Sequence, residues 1–415
     1  DPDATVLGEA AAWQLARSIV KESTGEVLSD LDKSLDTLTD AVLRLSRAIA
    51  DNVANPEDIV SFARSLDEHT VHMPVPRTLL ALAAVLTALV AAGCGGSSDT
   101  ASDSSANDNA KTKLSLVAYS TPEVAYDEII PAFQKTAAGK GVGFTSSFGA
   151  SGDQSRAVEA GLKADVVTFS LAPDMNRLVD AKIVSPDWDK TPYDGNVTTS
   201  LVTFVVRKGN PKGIKTWDDL LKPGIKVLTP NPFTSGSAKW NLLAAYGANG
   251  GLKNQQQGLD YLSKLIKDHV TVQDKSGREA LQNFVSGNGD VLLSYENEAL
   301  TAQKKGQSVD YVTPDATIKI ENPLAVTANS AHPTQAKAFA AYALTKPAQE
   351  IFASWGYRPV LPDVLAANAK KFPNPPDEFT VADLGGWSKL NDELFDPDKG
   401  KVAKIEESAG VSTAK

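Results

Sequence analysis

The sequence Thr-Pro-Asn-Pro-Phe-Thr-Ser-Gly-Ser-Ala-Lys-Trp at residues 229–240 follows a short apolar run at residues 225–228 and leads into a helical pattern. A strand that passes directly into a helix is the unit from which α/β folds are built. Ser235, Gly236 and Ser237 fall at the predicted start of the helix, where backbone N–H groups lack acceptors and the helix dipole is positive. Glycine allows close approach of a ligand to the backbone, and hydroxyl groups add donors. The stretch predicts an anion cradle, although by itself it also fits an ordinary helix N-cap.

A second stretch has the same design. Ser-Ser-Phe-Gly-Ala-Ser-Gly-Asp-Gln at residues 146–154 lies between a strand-like run at 142–145 and a predicted helix at 155–162. Two further candidates are residues 274–280, and the strand at 290–295 that runs into Glu-Asn-Glu-Ala-Leu. Together these segments supply many neutral donors and few charges, and two strand-to-helix anion sites indicate two facing lobes.

Beyond Lys113 the chain alternates β-rich runs with helical stretches, which is typical of a mostly parallel α/β fold. The apolar run at residues 201–206 predicts a strand that crosses between lobes, and a return crossing is expected near residues 310–324. Two lobes joined by two crossings allow hinge closure over a ligand.

These residues resemble the sulfate-binding proteins that deliver sulfate or thiosulfate to bacterial ATP-driven importers. The likeness extends over residues 113–386. The matching stretches, in chain order, are Leu-Ser-Leu-Val-Ala-Tyr-Ser at 114–120, Lys-Ala-Asp-Val-Val-Thr-Phe at 163–169, Val-Val-Arg-Lys-Gly-Asn-Pro at 205–211, Thr-Pro-Asn-Pro at 229–232, Gly-Asp-Val-Leu at 289–292, Glu-Asn-Glu-Ala-Leu at 296–300 and Tyr-Arg-Pro at 357–359. The resemblance implies an α/β, two-lobed periplasmic-binding-protein-like fold of type II with the ligand cleft between the lobes.

Carried over position by position, the resemblance also implies a set of anion contacts through backbone N–H groups or side-chain donors. These contacts are Ser120, Ser151, Ser235, Gly236, Ser237, Gly277 and Tyr295. Arg278 would lie behind the site and steady a loop. The chain departs from the family pattern twice, since Ser120 replaces a usual aspartate and Tyr295 replaces a frequent tryptophan. A phenol O–H both donates and accepts, so the second change could loosen discrimination against a protonated oxyanion.

The donor set favours a fully ionised tetrahedral anion, because sulfate at neutral pH has no proton to donate. A phosphate site gains from a carboxylate that accepts the phosphate proton, and none of the seven matched positions is Asp or Glu. Asp153 and Asp274 nevertheless lie close in sequence. We therefore expect sulfate or thiosulfate, with molybdate or phosphate as the alternative, and no metal or cofactor.

The 415 residues carry a formal charge of −10, which argues against a nucleic-acid partner. Anion capture would then depend on local dipoles and not on the overall field.

The single cysteine, Cys94, ends an apolar stretch at residues 78–93 that is too short to span a bilayer comfortably. We predict a lipoprotein signal peptide at residues 73–94, lipidation of Cys94 and a flexible Gly/Ser/Asp/Asn tether at 95–112. The protein would be exported and anchored to the outer face of the cell membrane, where its partners are a membrane permease and its ATPase subunits.

Residues 1–72 are predicted to be a helical upstream extension, because Met73 is well placed as the start of the signal peptide. Hydrophobic residues recur there by three and four over three heptads. They are Leu28, Leu31, Leu35, Leu38, Val42, Leu45 and Ile49. A dimerising coiled coil and a piece of a helical bundle are both open, as is absence of this segment from the mature protein.

The binding domain is predicted at residues 113–415, with lobe 1 at about 113–200 plus part of 320–415 and lobe 2 at about 201–319. We expect no enzyme activity. The four histidines lie outside the cradle segments, and the acid pairs Glu296/Glu298 and Asp218/Asp219 are better explained as helix-start residues. A secreted hydrolase and a structural lipoprotein are the competing classes.

Overall fold

A computed structural model describes residues 101–102 and 112–413 of the chain. The predicted upstream helices at 1–72, the predicted signal peptide with Cys94, and most of the predicted tether lie outside the described residues. Within the described part, no helix has the length and apolar character needed to cross a membrane.

The described residues form strands and helices in alternation. The strands are β1 (Ala101–Ser102), β2 (Thr112–Tyr119), β3 (Val142–Gly149), β4 (Val166–Thr168), β5 (Asn196–Arg207), β6 (Val227–Leu228), β7 (Val270–Val272), β8 (Val291–Tyr295), β9 (Val309–Val312), β10 (Ala316–Val326), β11 (Arg358–Pro359) and β12 (Asp377–Phe379). The α-helices are α1 (Glu123–Gln134), α2 (Ser151–Glu159), α3 (Ala172–Asp180), α4 (Gly236–Tyr246), α5 (Gln255–Lys264), α6 (Gly277–Val285), α7 (Glu296–Lys304), α8 (Pro333–Ala343), α9 (Lys346–Ser354), α10 (Pro362–Ala367), α11 (Trp387–Leu390) and α12 (Lys401–Ser408).

The strands pair in the order β1-β3-β2-β4-β10-β5-β8-β6-β7, with β9 and β11 also on β5 and β12 on β10. β2 pairs in parallel with β3 and β4, and β6 pairs in parallel with β7 and β8. Strands covered by helices on both faces become nearly continuous apolar runs, as in Val-Leu-Leu-Ser-Tyr of β8, where every residue is buried. The predicted α/β class is confirmed. The expectation of a mostly parallel sheet is wrong, because β5 and β10 pair antiparallel with each other and with β8 and β4, respectively, which makes the sheet mixed.

One predicted helix begins earlier than the sequence indicated. The helix expected at residues 155–162 begins at Ser151 and ends at Glu159. Asp153 lies in its first turn, where a carboxylate stabilises the positive end of the helix, and Gly161 takes a left-handed conformation that terminates it. Ser151 is consequently a helix N-terminal residue and not a loop residue.

Two long strands pass between separate hydrophobic cores. β5 places Val197 in a core with Tyr126 and Phe339, and its later residues in a second core with Trp240. β10 runs the other way, from Ile318 in the second core toward the first lobe's strand β4. The two strands pair antiparallel with each other. They correspond to the crossings predicted at residues 201–206 and near 310–324.

The last part of the chain belongs to the second core. Phe379, Leu394, Phe395 and Val402 are buried together with Trp240. The sequence analysis left open how residues 320–415 divide between the lobes, and these contacts place residues 377–408 beside β10 and α4.

The acid pairs hold helix starts in different ways. Asp219 forms a capping box with Thr216, as expected for a helix start. Glu296 begins α7 but is fully buried, and its carboxylate accepts two hydrogen bonds from Arg358, at 2.6 and 3.1 Å. This ion pair joins α7 to β11.

Removal of one partner of this pair should be costly, because it leaves a buried charge without compensation. We predict that Arg358→Met lowers the free energy of unfolding by about 3–5 kcal/mol, measured by urea denaturation. The double variant Glu296→Gln, Arg358→Met should recover most of the loss.

The matched control is Lys190→Met, which removes an ion pair to Asp187 whose side chains are 74% and 63% exposed. It should change the free energy of unfolding by less than about 1 kcal/mol. Equal losses for the two single variants would contradict the prediction.

Candidate anion-binding site

Four helices begin at the carboxyl ends of strands, three of them neighbouring strands of one lobe and one a strand of the other lobe. They are α2 after β3, α4 after β6, α6 after β7 and α7 after β8. The first backbone N–H groups of each helix have no acceptor within that helix, and its positive dipole end lies there. β6, β7 and β8 place the starts of α4, α6 and α7 at one edge of the sheet, and β3 places the start of α2 at the opposing edge in the other lobe.

Ser170, which follows β4, brings three of these starts together. Its hydroxyl lies 2.7 Å from the Tyr295 hydroxyl, and its N–H donates to Ser151 Oγ at 3.0 Å. A Cβ added to Gly236 would lie 2.5 Å from Ser170 Oγ, so only glycine lets α4 approach so closely. Ser151, Gly236 and Tyr295 therefore meet at one buried serine.

Ser170 is the functional candidate that the sequence analysis missed. It is 1% exposed, and its carbonyl accepts from Trp240 Nε1 at 2.8 Å and from Asn322 Nδ2 at 3.1 Å. The signal was available, because Ser170 directly follows the Lys-Ala-Asp-Val-Val-Thr-Phe stretch, as the predicted serines follow their own strands.

A second set of contacts joins α4 to α6. The hydroxyls of Ser235 and Ser237 lie 2.8 Å apart, and a Cβ added to Gly277 would lie 2.9 Å from Ser237 Oγ. The next neighbour of that added atom is Thr121, whose hydroxyl accepts from the Tyr357 O–H at 3.1 Å. Thr121 was not predicted, although it adjoins Ser120 at the end of β2.

Arg278 connects α6 to the end of β2. Its guanidinium donates to the carbonyl of Ser120 and to the carboxylate of Glu123. The carbonyl contact fixes the orientation of the peptide at Ser120. The charge of Arg278 is paired with Glu123, which fits the expectation that this arginine steadies a loop and does not neutralise a ligand.

The hydroxyl of Ser151 is already engaged. It donates to Asp174 Oδ2 at 2.7 Å while accepting from Ser170, and Asp174 also accepts from Arg177 at 3.1 Å. The donor that Ser151 can offer to a ligand in this arrangement is therefore its backbone N–H at the start of α2. Asp174 was also missed by the sequence analysis.

One carboxyl group beside the site is unusual. Glu298 is buried in the first turn of α7 and borders a cavity of about 460 Å³ together with Thr121 and Arg278. Burial raises the pKa of Glu298 to about 7, against the lowering effect of Arg278 and Lys305. Burial also raises the pKa of Tyr295 well above its usual range, so Tyr295 stays a neutral hydroxyl.

All seven predicted contact residues and Arg278 thus lie in one connected set of contacts. It consists of helix N-termini, hydroxyl groups and three close glycine approaches, counting Gly152, whose added Cβ would lie 3.1 Å from the carbonyl of Thr234. Such a set is chemically suited to surround an anion with neutral donors.

The two-lobed α/β fold of this chain, with helix N-termini facing the cleft, is that of the periplasmic binding proteins of type II. The chain belongs to the family of bacterial extracellular solute-binding proteins, whose family model matches residues 114–358.

Named relatives narrow this class. A sulfate-binding protein of Synechococcus elongatus is 41% identical over 346 residues, 80% of this chain and 97% of the relative. A thiosulfate-binding protein of Pseudomonas aeruginosa is 36% identical over 303 residues, 69% of this chain and 90% of the relative. The solved structure of the sulfate-binding protein SubI from Mycobacterium tuberculosis H37Rv is 51% identical, with a TM-score of 0.68, and the match covers 69% of this chain and 100% of that one. The predicted family resemblance is confirmed.

The Ser170–Tyr295 hydrogen bond should be measurable as an energetic coupling. Each of Ser170→Ala and Tyr295→Phe leaves a buried hydroxyl without its partner and should lower the free energy of unfolding by roughly 1–3 kcal/mol. The double variant should cost less than the sum, with a coupling of about 1 kcal/mol in urea denaturation.

Tyr261→Phe provides the matched control, because the Tyr261 hydroxyl donates to the carbonyl of Trp217 at 2.6 Å. Its effect should add to that of Ser170→Ala. If Tyr295→Phe were equally additive, the two hydroxyls would not be partners in solution.

Proposed function

We propose that this protein captures sulfate or thiosulfate outside the cell and delivers it to an ATP-driven membrane importer. The observation that carries this proposal is the convergence of four helix N-termini and their hydroxyl groups around Ser170 and Ser237. The names of the relatives support the same ligands. The proposed contacts are Ser120, Ser151, Ser235, Gly236, Ser237, Gly277 and Tyr295, with Ser170 and Thr121 added from the geometry.

The energetics of such a site are sufficient without a cation. A hydrogen bond to a charged group contributes roughly 1.5–3 kcal/mol. Micromolar binding needs about 8 kcal/mol, so a few such bonds can exceed this after the desolvation cost is met. The donors are fixed beforehand by their contacts with one another, which reduces the ordering cost on binding.

The hydrogen bonds that Asp174 already accepts favour sulfate over phosphate. A hydrogen phosphate needs an acceptor for its proton, and the carboxylate beside Ser151 already accepts from Ser151 and Arg177. The second candidate ligand is phosphate, and Glu298 is the observation that favours it, because this buried carboxyl borders the adjoining cavity.

Closure of the lobes would complete the site. Contacts that join segments of the two cores include Ser170 with Tyr295, Arg278 with Ser120 and Glu123, and Lys275 with Asp153 at 3.0 Å. An anion bound to both sides would favour the closed form, since it contacts both sides only there.

The proposal extends to the cell envelope. Cys94 would carry a lipid anchor, with residues 73–94 as its signal peptide and 95–112 as a tether, and residues 1–72 would be an upstream extension. The sequence pattern supports this assignment. The binding domain at 113–415, with the predicted lobe boundaries, would act by binding alone and without catalysis, as the relatives' names support.

The first test is isothermal titration calorimetry of the purified protein, dialysed free of anions, with sulfate, thiosulfate, molybdate and phosphate. We expect one-to-one binding of sulfate or thiosulfate at micromolar Kd or tighter, and phosphate weaker by roughly 100-fold or more. Tighter binding of phosphate would select the second candidate and implicate Glu298. Absence of heat with every oxyanion would overturn the proposal.

The site itself is tested by a charge placed in the cradle. Ser237→Asp should weaken sulfate binding by at least about 100-fold, because a carboxylate beside the anion repels it in a buried site. Asparagine has nearly the same shape as aspartate and carries no charge, so Ser237→Asn should lose much less affinity. Equal losses for the two variants would mean that Ser237 does not face the anion.

A further inference from the structure

Residues 401–413 are called the C-terminal segment below. It contains α12, whose Val402 and Ala403 are buried in the second core. α12 packs against α5 and against the turns Leu265–His269 and Asn391–Phe395. The segment also reaches two loops of the candidate site.

The first of these loops lies between β6 and α4. Asn231 Nδ2 donates to the carbonyl of Ser412 at 3.0 Å. Asn231 organises the loop, because its own carbonyl accepts from the N–H of Ser235 at 2.9 Å and its Oδ1 accepts from the N–H of Phe233 at 2.8 Å. The C-terminal segment therefore holds the residue that shapes the approach to α4.

The second loop lies between β7 and α6. Gln273 Nε2 donates to Glu406 Oε2 at 2.7 Å, and Glu406 is fully buried on α12. The neighbouring Asp274 carbonyl accepts from the N–H of Asn231 at 2.8 Å, so the two loops are tied to each other as well. Both of the longer strand-to-helix loops of the site are thus attached to the C-terminal segment.

Two oxygen atoms of Glu406 and Gln273 lack a hydrogen-bond donor among the described residues. In the described part of the chain, Glu406 Oε1 and Gln273 Oε1 are both buried oxygens without a hydrogen-bond partner. An ionised carboxylate and an amide oxygen only accept, whereas a protonated carboxyl donates once. A proton on the Glu406 carboxyl supplies one donor, and Gln273 Oε1, on the residue that already donates to Glu406, is a buried acceptor that lacks a donor. When that proton leaves to water, a buried charge and an unsatisfied acceptor remain.

We propose that the C-terminal segment is a brace that positions the anion cradle, and that it is engaged when Glu406 is protonated and loosened when Glu406 ionises. Glu406 is a positioning residue in this scheme, since it acts through Gln273 and the two loops. The proposal rests on the proposed function, because it concerns regulation of the same site.

The titration of Glu406 fixes the direction of the effect. Burial raises the pKa of Glu406 from 4.5 to about 7, and the hydrogen bond from Gln273 lowers it. The docked state is the one in which the C-terminal segment contacts the two loops. Because the pKa of Glu406 is raised in that state, its carboxyl group stabilises docking fully below about pH 4.5. That stabilisation is lost as the pH rises to about 7, above which the effect is constant.

Other charged groups lie on the elements packed against α12, and none of them is a cause of this shift. They are Asp260 and Lys264 on α5, Lys267, Asp268 and His269 in the turn after it, and Asp392 and Glu393 in the turn Asn391–Phe395. Lys401, Lys404 and Glu407 lie on α12 itself.

The test is sulfate calorimetry at several pH values between about 5 and about 8, on wild type, Glu406→Gln, Glu406→Ala and Glu407→Gln. Docking should weaken by about 100-fold between pH 5 and pH 7, because each pH unit within the window changes docking about tenfold, and wild-type affinity should fall with it by up to that factor. Glu406→Gln supplies a permanent N–H donor and should remove the contribution of Glu406 from the pH profile. Glu406→Ala should bind weakly even at pH 5.

Glu407→Gln is the matched control, since Glu407 is exposed on the same helix and glutamine keeps an acceptor for the hydrogen bond from Thr413 Oγ1 at 3.2 Å, so the wild-type profile should stay in place. Glu298 and Asp274 also have a pKa raised by burial, so the quantity to compare is the difference between the wild-type and Glu406→Gln profiles. Identical profiles for wild type, Glu406→Gln and Glu406→Ala would overturn the brace.

A second measurement separates this proposal from the proposed function. Hydrogen exchange of residues 229–235 and 401–411 in the anion-free protein, corrected for intrinsic rates, should show less protection at pH 8 than at pH 5 in wild type and not in Glu406→Gln. That result without sulfate binding would support the brace and overturn the proposed ligand. Sulfate binding with unchanged protection would support the ligand and overturn the brace.

Discussion

The first N–H groups of an α-helix have no acceptor inside that helix, and the arrangement of this site follows from where those groups are placed. Parallel pairing brings the carboxyl ends of β6, β7 and β8 to one edge of the sheet, so the helices that follow begin beside one another. β2, β3 and β4 do the same in the other lobe. Two such edges facing across β5 and β10 create an electropositive cleft that needs no cation of its own.

The hydroxyl groups at this cleft are fixed chiefly by one another. Ser170 binds Ser151 through its N–H and Tyr295 through its hydroxyl, while Ser235 and Ser237 lie in contact. The charged groups nearby are paired off in the same way, Asp174 with Arg177 and Glu123 with Arg278. A ligand therefore meets a surface whose local charges are already balanced, and the backbone dipoles decide the sign of what can bind.

The sequence predicts the parts of this site that are formed by adjacent residues. It does not predict the contacts between residues that are distant in the chain. The sequence predicts a helix start at Ser235, Gly236 and Ser237, because a strand, a glycine and two hydroxyl residues are adjacent in the chain. Ser170 is locally an ordinary serine after an apolar run, and its importance comes from Tyr295 and Trp240, which are distant in sequence. The role of residues 377–413 was equally hidden, since a polar, proline-containing tail gives no local sign that it returns to β10 and α4.

Loop length explains why the end of the chain is needed at the site. β8 passes directly into α7, and only Ala150 separates β3 from α2, so the sheet itself fixes those two helix starts. Residues 229–235 separate β6 from α4, and residues 273–276 separate β7 from α6, which leaves these helix starts free to shift unless something else holds them. Asn231 and Gln273 lie in these two loops, and both donate side-chain hydrogen bonds to the C-terminal segment. The two helix starts that the sheet holds least directly are therefore the two that the C-terminal segment reaches, which makes that segment part of the binding architecture.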